Sequence, residues 1–562
     1  MLKRLFAISS LFMASLPSLA AAQAVASSAD PRASEVGREI LHRGGTAADA
    51  AAAMVAVLTL VEPQSSGIGG GGLLVYHDDK NGISTIDGRE TAPASARADR
   101  FLGADGKPRP FMDIVPGGLS VGVPGNVRLM EMAHDKWGKL PWADLLQPAI
   151  KLAEQGFEVT PVLHNWLVQF EPLWKDFPEA RAIYYQDGKP AAVGTILKNP
   201  AYAAFLRDLA KKGPDAFYQG ENASAIARAV RAAPRNKAVI TAQDLASYQA
   251  KERPAVCTSY RAYKLCGMGP PSSGATTVFG ILGMLEAFDL SGMGKDSPMS
   301  WHLLAEAMQL AYADRDHYLG DADFVSVPVA GLLDKQYLAE RRNLISPFGR
   351  MGHYAPGAPP GAQPRSAPGE VVEKGTTHFA VVDHQGNVAS LTSTVESIFG
   401  SQLIANGYFL NNEMTDFALS PMKDGAPAAN RIEPGKRPLS SMAPTIVYGP
   451  DGRVVMALGS AGGRRIIMHV AKTLIGVLDW GLSAQDAVAL PNLFYTKDGV
   501  LIENDEAGRQ IAEKMQGFGY AFTPADLPSK LNAVARSGDS WVGAADPRGP
   551  GSASVDGSPP QG

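Results

Sequence analysis

Several things are scarce in this sequence, and each scarcity removes a class of protein. Two cysteines in 562 residues leave room for a single bridge, so a large core has to hold the fold. No run of like charge exceeds a few residues and the net charge is −4, which excludes an acidic or basic tail and argues against a nucleic-acid or anionic-membrane surface. Beyond the first residues no apolar run is long enough to span a bilayer. The sequence has no G-K-[ST] phosphate loop, no H-E-x-x-H, no calcium-binding loop and no G-x-S-x-G elbow. Its 10 histidines are scattered without metal-ligand spacing, so neither a metal nor a cofactor is expected. "GIGGGG" at 67–72 satisfies G-x-G-x-x-G formally, but the strand-like "LLVYHD" follows it, where a dinucleotide site needs a helix N-terminus.

What is present is globular and layered. With 45% hydrophobic and 19% charged residues the chain can bury a large core. Residues 1–24 read as a signal peptide: Lys3 and Arg4, an apolar run, then Ala22-Gln23-Ala24, with cleavage expected after Ala22 or Ala24 and a periplasmic or secreted product. "ASEVGREILHRGGTAADAAAAMVAVLTL" predicts two helices; Val36, Ile40 and Leu41 share a face of the first, Gly44-Gly45 ends it, and Thr46 caps a second, fully buried helix. "GGLLVYHD" and "ISTIDGRE" predict consecutive strands, and a second strand-rich block runs from Thr376 to about Met456. Helices flanking antiparallel strands in both halves point to an α/β layered protein rather than a doubly wound one. Residues 355–369, 418–435 and the C-terminal "DPRGPGSASVDGSPPQG" are expected to be irregular, the last as a disordered tail.

Two hairpins carry chemistry. Folding "CTSYRAYKLC" about Arg261-Ala262 sets Cys257 opposite Cys266; an oxidising compartment would join them, a reducing one would leave two thiols. In "EKGTTHFAVVDHQGNVASLTSTV" a turn at Asp383–Asn387, with Gly386 in the left-handed position, sets Thr394 opposite Thr376 to within a residue. A threonine hydroxyl is a weak nucleophile without a base beside it. Making the threonine N-terminal supplies one, since an α-amine titrates at about 7.7–8.0. That terminus requires cleavage of Gly375–Thr376, where the glycine puts no side chain in the path of an internal attack.

Motifs spread over nearly the whole chain carry a resemblance: "GGTAADAAAA", "VEPQSSGIGGGG", "DGRETAP", "VGVPGNV", "PPSSGATT", "AEAMQLAYADRDHYLGD", "TTHFAVVDHQGNVASLTST", "FLNNEMTDF", "GKRPLSSMAPT" and "GSAGGRRI". In these the chain resembles the γ-glutamyltransferase (γ-glutamyltranspeptidase) family of N-terminal-nucleophile hydrolases. The resemblance implies a four-layer αββα sandwich, made as one precursor and split into a large subunit, 25–375, and a small catalytic subunit, 376–562. By the same resemblance Thr376 is the self-cleaving nucleophile and Thr394 orients its new α-amine. Arg89, Ser440 and Ser441 hold the substrate α-carboxylate, Glu413 and Asp416 hold its α-ammonium, and Gly462 and Gly463 donate backbone N–H groups to the oxyanion. The implied partners are the two subunits for each other and a small donor, glutathione or another γ-glutamyl compound, with an amino acid, a peptide or water as acceptor.

The chain departs from the family pattern in three places. Glu396 stands where many members have asparagine, and adds charge to the ammonium subsite. The 418–435 loop is short and lacks a lid aromatic, so an open site accepting bulkier leaving groups is expected, as in glutaryl-cephalosporin acylases. Ala461 and Arg464 replace the usual proline and serine. Two rival readings are an acylase on the same scaffold and a non-catalytic exported binding protein. A glutaryl chain has no ammonium, so Glu396, Glu413 and Asp416 favour γ-glutamyl over glutaryl; intact Thr376, Thr394 and both glycines oppose the binding protein.

Overall fold

The strand Gly375–Val382 is buried at every residue, which requires cover on both of its faces. The computed structural model, which describes residues 23–363, 375–423, 425–496 and 499–556, provides that cover as four layers. A seven-stranded antiparallel sheet runs in the order Ser552–Val555, Val25–Ser28, Gly375–Val382, Val388–Glu396, Gly71–Asp78, Gly82–Gly88, Lys251–Arg253. A six-stranded antiparallel sheet packs on it, in the order Ser540–Ala545, Asn532–Ser537, Val454–Gly459, Thr445–Tyr448, Tyr263–Gly267, Val256–Tyr260. Alternation assigns the faces: Phe379 and Val381 enter the core shared with helix Ala47–Val61, while Ala380 and Val382 enter the core shared with the second sheet and helices Gly274–Leu285 and Arg465–Leu478. The fold is thus an α/β four-layer αββα sandwich.

Local chemistry explains the main elements. Thr46 and Asp49 form a reciprocal capping box at the start of Ala47–Val61, a helix buried all round. Asp383 closes the turn between the two central strands by accepting from the Asn387 and Gln385 N–H groups, and Gly386 takes φ 89°. The second hairpin turns at Arg261 with φ 53°; its guanidinium is held by Asp479 and by the Phe288 carbonyl, which fixes a turn that lacks Asn-Gly. Cys257 and Cys266 pair across that ladder and form a disulfide. The glycine run at 67–72 is built for close packing rather than for a nucleotide: a Cβ on Gly70 would lie 1.9 Å from the Thr394 carbonyl oxygen, and one on Gly69 2.0 Å from that of Phe409.

One expectation is overturned. The C-terminal stretch is not a disordered tail through residue 556: Ser552–Val555 pairs with Val25–Ser28, and Arg548 binds Glu503 and Asp546. Its small residues suit a short strand in a crowded sheet margin, which composition alone read as disorder. Residues 557–562, residues 1–22 of the expected signal peptide 1–24, and residues 364–369 of the expected loop 355–369 lie outside the described residues; the described parts of 355–369 and 418–435 are irregular apart from a two-rung ladder, Met422–Lys423 with Ala426–Pro427.

Deleting residues 551–562 removes the strand that covers Val25–Ser28, together with the Asp556 carboxylate that His42 and His384 share. In the Thr376→Ala chain the deletion is expected to lower stability by about 2 kcal/mol or more, read as a lower urea midpoint. An unchanged midpoint would show that this strand carries no weight.

Candidate active site

The register of the central hairpin slips at one point. Thr377 pairs with Ser393 and Gly375 with Glu396, so Thr394 and Val395 together face Thr376 in a bulge. The bulge turns both threonine hydroxyls onto one group. Thr376 Oγ1 and Thr394 Oγ1 each donate to the Gly375 carbonyl oxygen at 2.6 Å, and lie 3.2 Å apart. The Glu396 N–H donates to Thr394 Oγ1 at 2.8 Å, which commits that oxygen as acceptor and its proton to Gly375. A side chain at 375 is excluded by space, because a Cβ there would sit 2.7 Å from the Glu396 carbonyl oxygen. The Gly375 carbonyl is therefore polarised by two hydroxyls, one of which belongs to the next residue.

Gly71 stands opposite Thr394 on the neighbouring strand and leads to a buried charged cluster. A Cβ on Gly71 would lie 2.3 Å from Glu90 Oε2. The Arg89 guanidinium pairs with Glu413 and with Asp416, and donates to the Leu439 and Pro438 carbonyls at 3.0 and 3.3 Å. Glu413 and Asp416 lie on one short turn, Glu413–Asp416, whose preceding residue Asn412 donates to the Glu396 carboxylate. Burial, and then repulsion from Asp416 and from Glu413, pushes the Glu396 carboxyl well up; burial does the same to Glu413 and Asp416 against the pull of Arg89. Burial pushes Glu90 up to about 7. The cluster is rich in carboxyl groups, and an ammonium-bearing ligand would answer that excess.

Ser440 and Ser441 follow directly on the two carbonyls that hold Arg89. Ser441 Oγ accepts from Arg315 Nη2 at 2.7 Å, and Ser440 Oγ accepts from the Met442 N–H at 3.1 Å. Gly462 and Gly463 adopt φ 127° and 61°, in a loop between strand Val454–Gly459 and helix Arg465–Leu478. A cavity of about 160 Å³ reaches both Thr376 and Gly462, walled by Trp166, Ile398, Arg465 and Lys530. The cavity does not reach the charged cluster, where Arg89 is 1% exposed and Glu413 0%.

Sequence reasoning missed Glu90, the neighbour of Arg89, and Asn412, which bridges Glu396 to Ser397. It also left Asp87 without a role, although Asp87 binds both Arg437 and Arg253, locking "DGRETAP" to "GKRPLSS".

With this geometry in place, comparison with known proteins gives a consistent result. The gamma-glutamyltranspeptidase family model matches residues 33–556. The chain belongs to the gamma-glutamyltranspeptidase family. The "Glutathione hydrolase proenzyme" of Bacillus subtilis (strain 168) is 37% identical over 511 residues, covering 89% of this chain and 85% of that one. The "Acylase ACY 1 proenzyme" of Pseudomonas sp. (strain SE83) is 35% identical over 518 residues, covering 91% and 89%. The crystal structure of cephalosporin acylase from Bacillus halodurans shares the fold, with a TM-score of 0.84 over 98% of this chain and 99% of that one, at 24% identity. Relatives of this chain thus include a glutathione hydrolase and an acylase.

The raised Glu90 gives a pH prediction. Its folded form holds a proton that the unfolded chain releases near 4.5, so this group's contribution to stability declines as pH rises from about 4.5 through about 7. In the Thr376→Ala chain the thermal midpoint is expected to drop between pH 5 and pH 8. Glu90→Gln should shrink the accompanying loss of unfolding free energy by an amount on the order of 1–3 kcal/mol. An equal drop in both proteins would show that Glu90 does not titrate in this range.

Proposed function

We propose that the chain is a γ-glutamyltransferase and glutathione hydrolase that matures by cutting itself at Gly375–Thr376. The observation that carries this reading is the Gly375 carbonyl, held by Thr394 Oγ1 at 2.6 Å with Thr376 Oγ1 at the same distance. Thr376 Oγ adds to the Gly375 carbonyl carbon, the amide C–N bond breaks, and the hydroxyl proton passes to the departing nitrogen. The resulting ester is hydrolysed, leaving a Gly375 carboxylate and a free Thr376 α-amine. Residues 25–375 and 376–562 would remain together after the cut, because each sheet contains hydrogen-bonded strands from both segments.

In turnover the α-amine takes the Thr376 Oγ proton as the oxygen attacks the γ-glutamyl carbonyl, then gives it to the leaving amine. The Gly462 and Gly463 N–H groups receive the oxyanion. The γ-glutamyl ester passes to water or to an amino acid or peptide. The donor's far end carries one carboxylate and one ammonium. Arg89 moves from its acidic partners to the ligand carboxylate, aided by Ser440 and Ser441, while Glu413, Asp416 and Glu396 move to the ammonium. The exchange gives the ligand's carboxylate and its ammonium each a buried partner of opposite charge, which is what burial demands. The disulfide supports export to an oxidising compartment.

Two measurements test this reading. γ-Glutamyl-4-nitroanilide is expected to be cleaved at least about 100-fold faster, as kcat/KM, than glutaryl-4-nitroanilide, the cost of leaving the ammonium subsite unfilled. Equal rates, or a preference for glutaryl, would move the chain to the acylase reading. Thr394→Val removes one donor to the scissile carbonyl and should slow self-cleavage by about 100-fold on a gel time course; an unchanged time course would exclude Thr394 from the step.

A further inference from the structure

Arg464 directly follows the two glycines of the oxyanion loop, and its guanidinium does not point into the cavity. It makes a bidentate pair with Asp316 at 3.0 and 2.7 Å. Asp316 Oδ1 also accepts from Arg315 Nη1 at 2.7 Å. Two further donors of Arg315 go to Ser441 Oγ at 2.7 Å and to Ser273 Oγ at 2.8 Å, and Ser273 in turn donates to the Ser440 carbonyl at 2.7 Å through both its N–H and its hydroxyl. Burial would raise the Asp316 carboxyl, but the two guanidiniums hold it below the usual carboxylate range, so it is an anion throughout the neutral range. Tyr312 completes the seat: its hydroxyl donates to the Arg464 carbonyl and its ring lies under the guanidinium, 5.2 Å from the centroid.

We propose that Arg464 and Asp316 are positioning residues that tie the oxyanion loop to the serine pair, so that a carboxylate held at the serines steadies the loop at the reacting carbonyl. This rests on the reading of the site given under Proposed function. Whatever shifts Ser441 on binding is passed through Arg315 and Asp316 to the residue next to Gly463. The carboxylate of a donor should therefore raise kcat as well as lower KM.

The test compares γ-glutamyl-4-nitroanilide with 4-aminobutyryl-4-nitroanilide, which lacks only the α-carboxylate. In the wild type the carboxylate is expected to raise kcat. In Arg464→Ser and in Asp316→Asn that kcat advantage should shrink about tenfold, the double variant should be no worse than either single one, and Arg464→Lys should recover part of the loss. A parallel fall with both donors, or additive losses, would overturn the proposal, because that is how a merely structural pair behaves. If the wild type turns over neither donor, it is the γ-glutamyl reading that fails. The tie is then read from amide exchange over residues 459–466, which should quicken in Arg464→Ser and Asp316→Asn; exchange equal to the wild type would overturn it.

Discussion

Everything proposed for this protein depends on one carbonyl group. The Gly375 oxygen receives the hydroxyls of Thr376 and Thr394, two residues 18 apart that meet only because the hairpin between them closes in one register and slips once. Each supporting element serves that contact. Asp383 and Gly386 fix the turn, and the glycine run on the next strand lets the Thr394 backbone approach to a distance that no side chain would allow. A helix layer on one side and a second sheet on the other bury the strand that carries the carbonyl. A shift of one residue would turn both hydroxyls to the opposite face.

A second constraint is charge. Glu90, Glu396, Glu413 and Asp416 are buried around Arg89, and burial raises all four carboxyl groups. Such a cluster is expensive to keep in a folded protein unless a ligand pays part of the cost. Under the proposed function, the zwitterionic end of an amino acid would do so by exchanging partners rather than by adding charge. The extra carboxylate at Glu396, where asparagine is usual in the family, strengthens the demand for an ammonium. That weighs toward a γ-glutamyl donor even though an acylase is among the similar proteins.

Much of this arrangement was legible in the sequence. The layered fold, the capped and wholly buried second helix, and the two hairpins follow from periodicity and turn residues, and the pairing of Thr376 with Thr394 follows from where Gly386 sits. The bulge was not legible, since its position depends on how the strands pack and not on the turn. The C-terminal strand was hidden by a composition of glycine, serine and proline that also describes tails. The Arg464–Asp316 pair joins residues 148 apart, and nothing local marks either as a partner of the other. Glu90 looked like one charge among many, because burial of an entire cluster is a property of the assembled sheet edge.

The central claim is that the Gly375–Thr376 bond is broken by the chain itself. Intact mass and N-terminal sequencing of the purified wild type beside Thr376→Ala test it most directly. The account predicts that the wild type gives two fragments that copurify, of about 37 and 20 kDa by mean residue mass, the smaller beginning Thr-Thr-His-Phe, and that the variant stays whole. A wild type that stays whole while turning over a γ-glutamyl donor, or a variant that splits at the same bond, would contradict it.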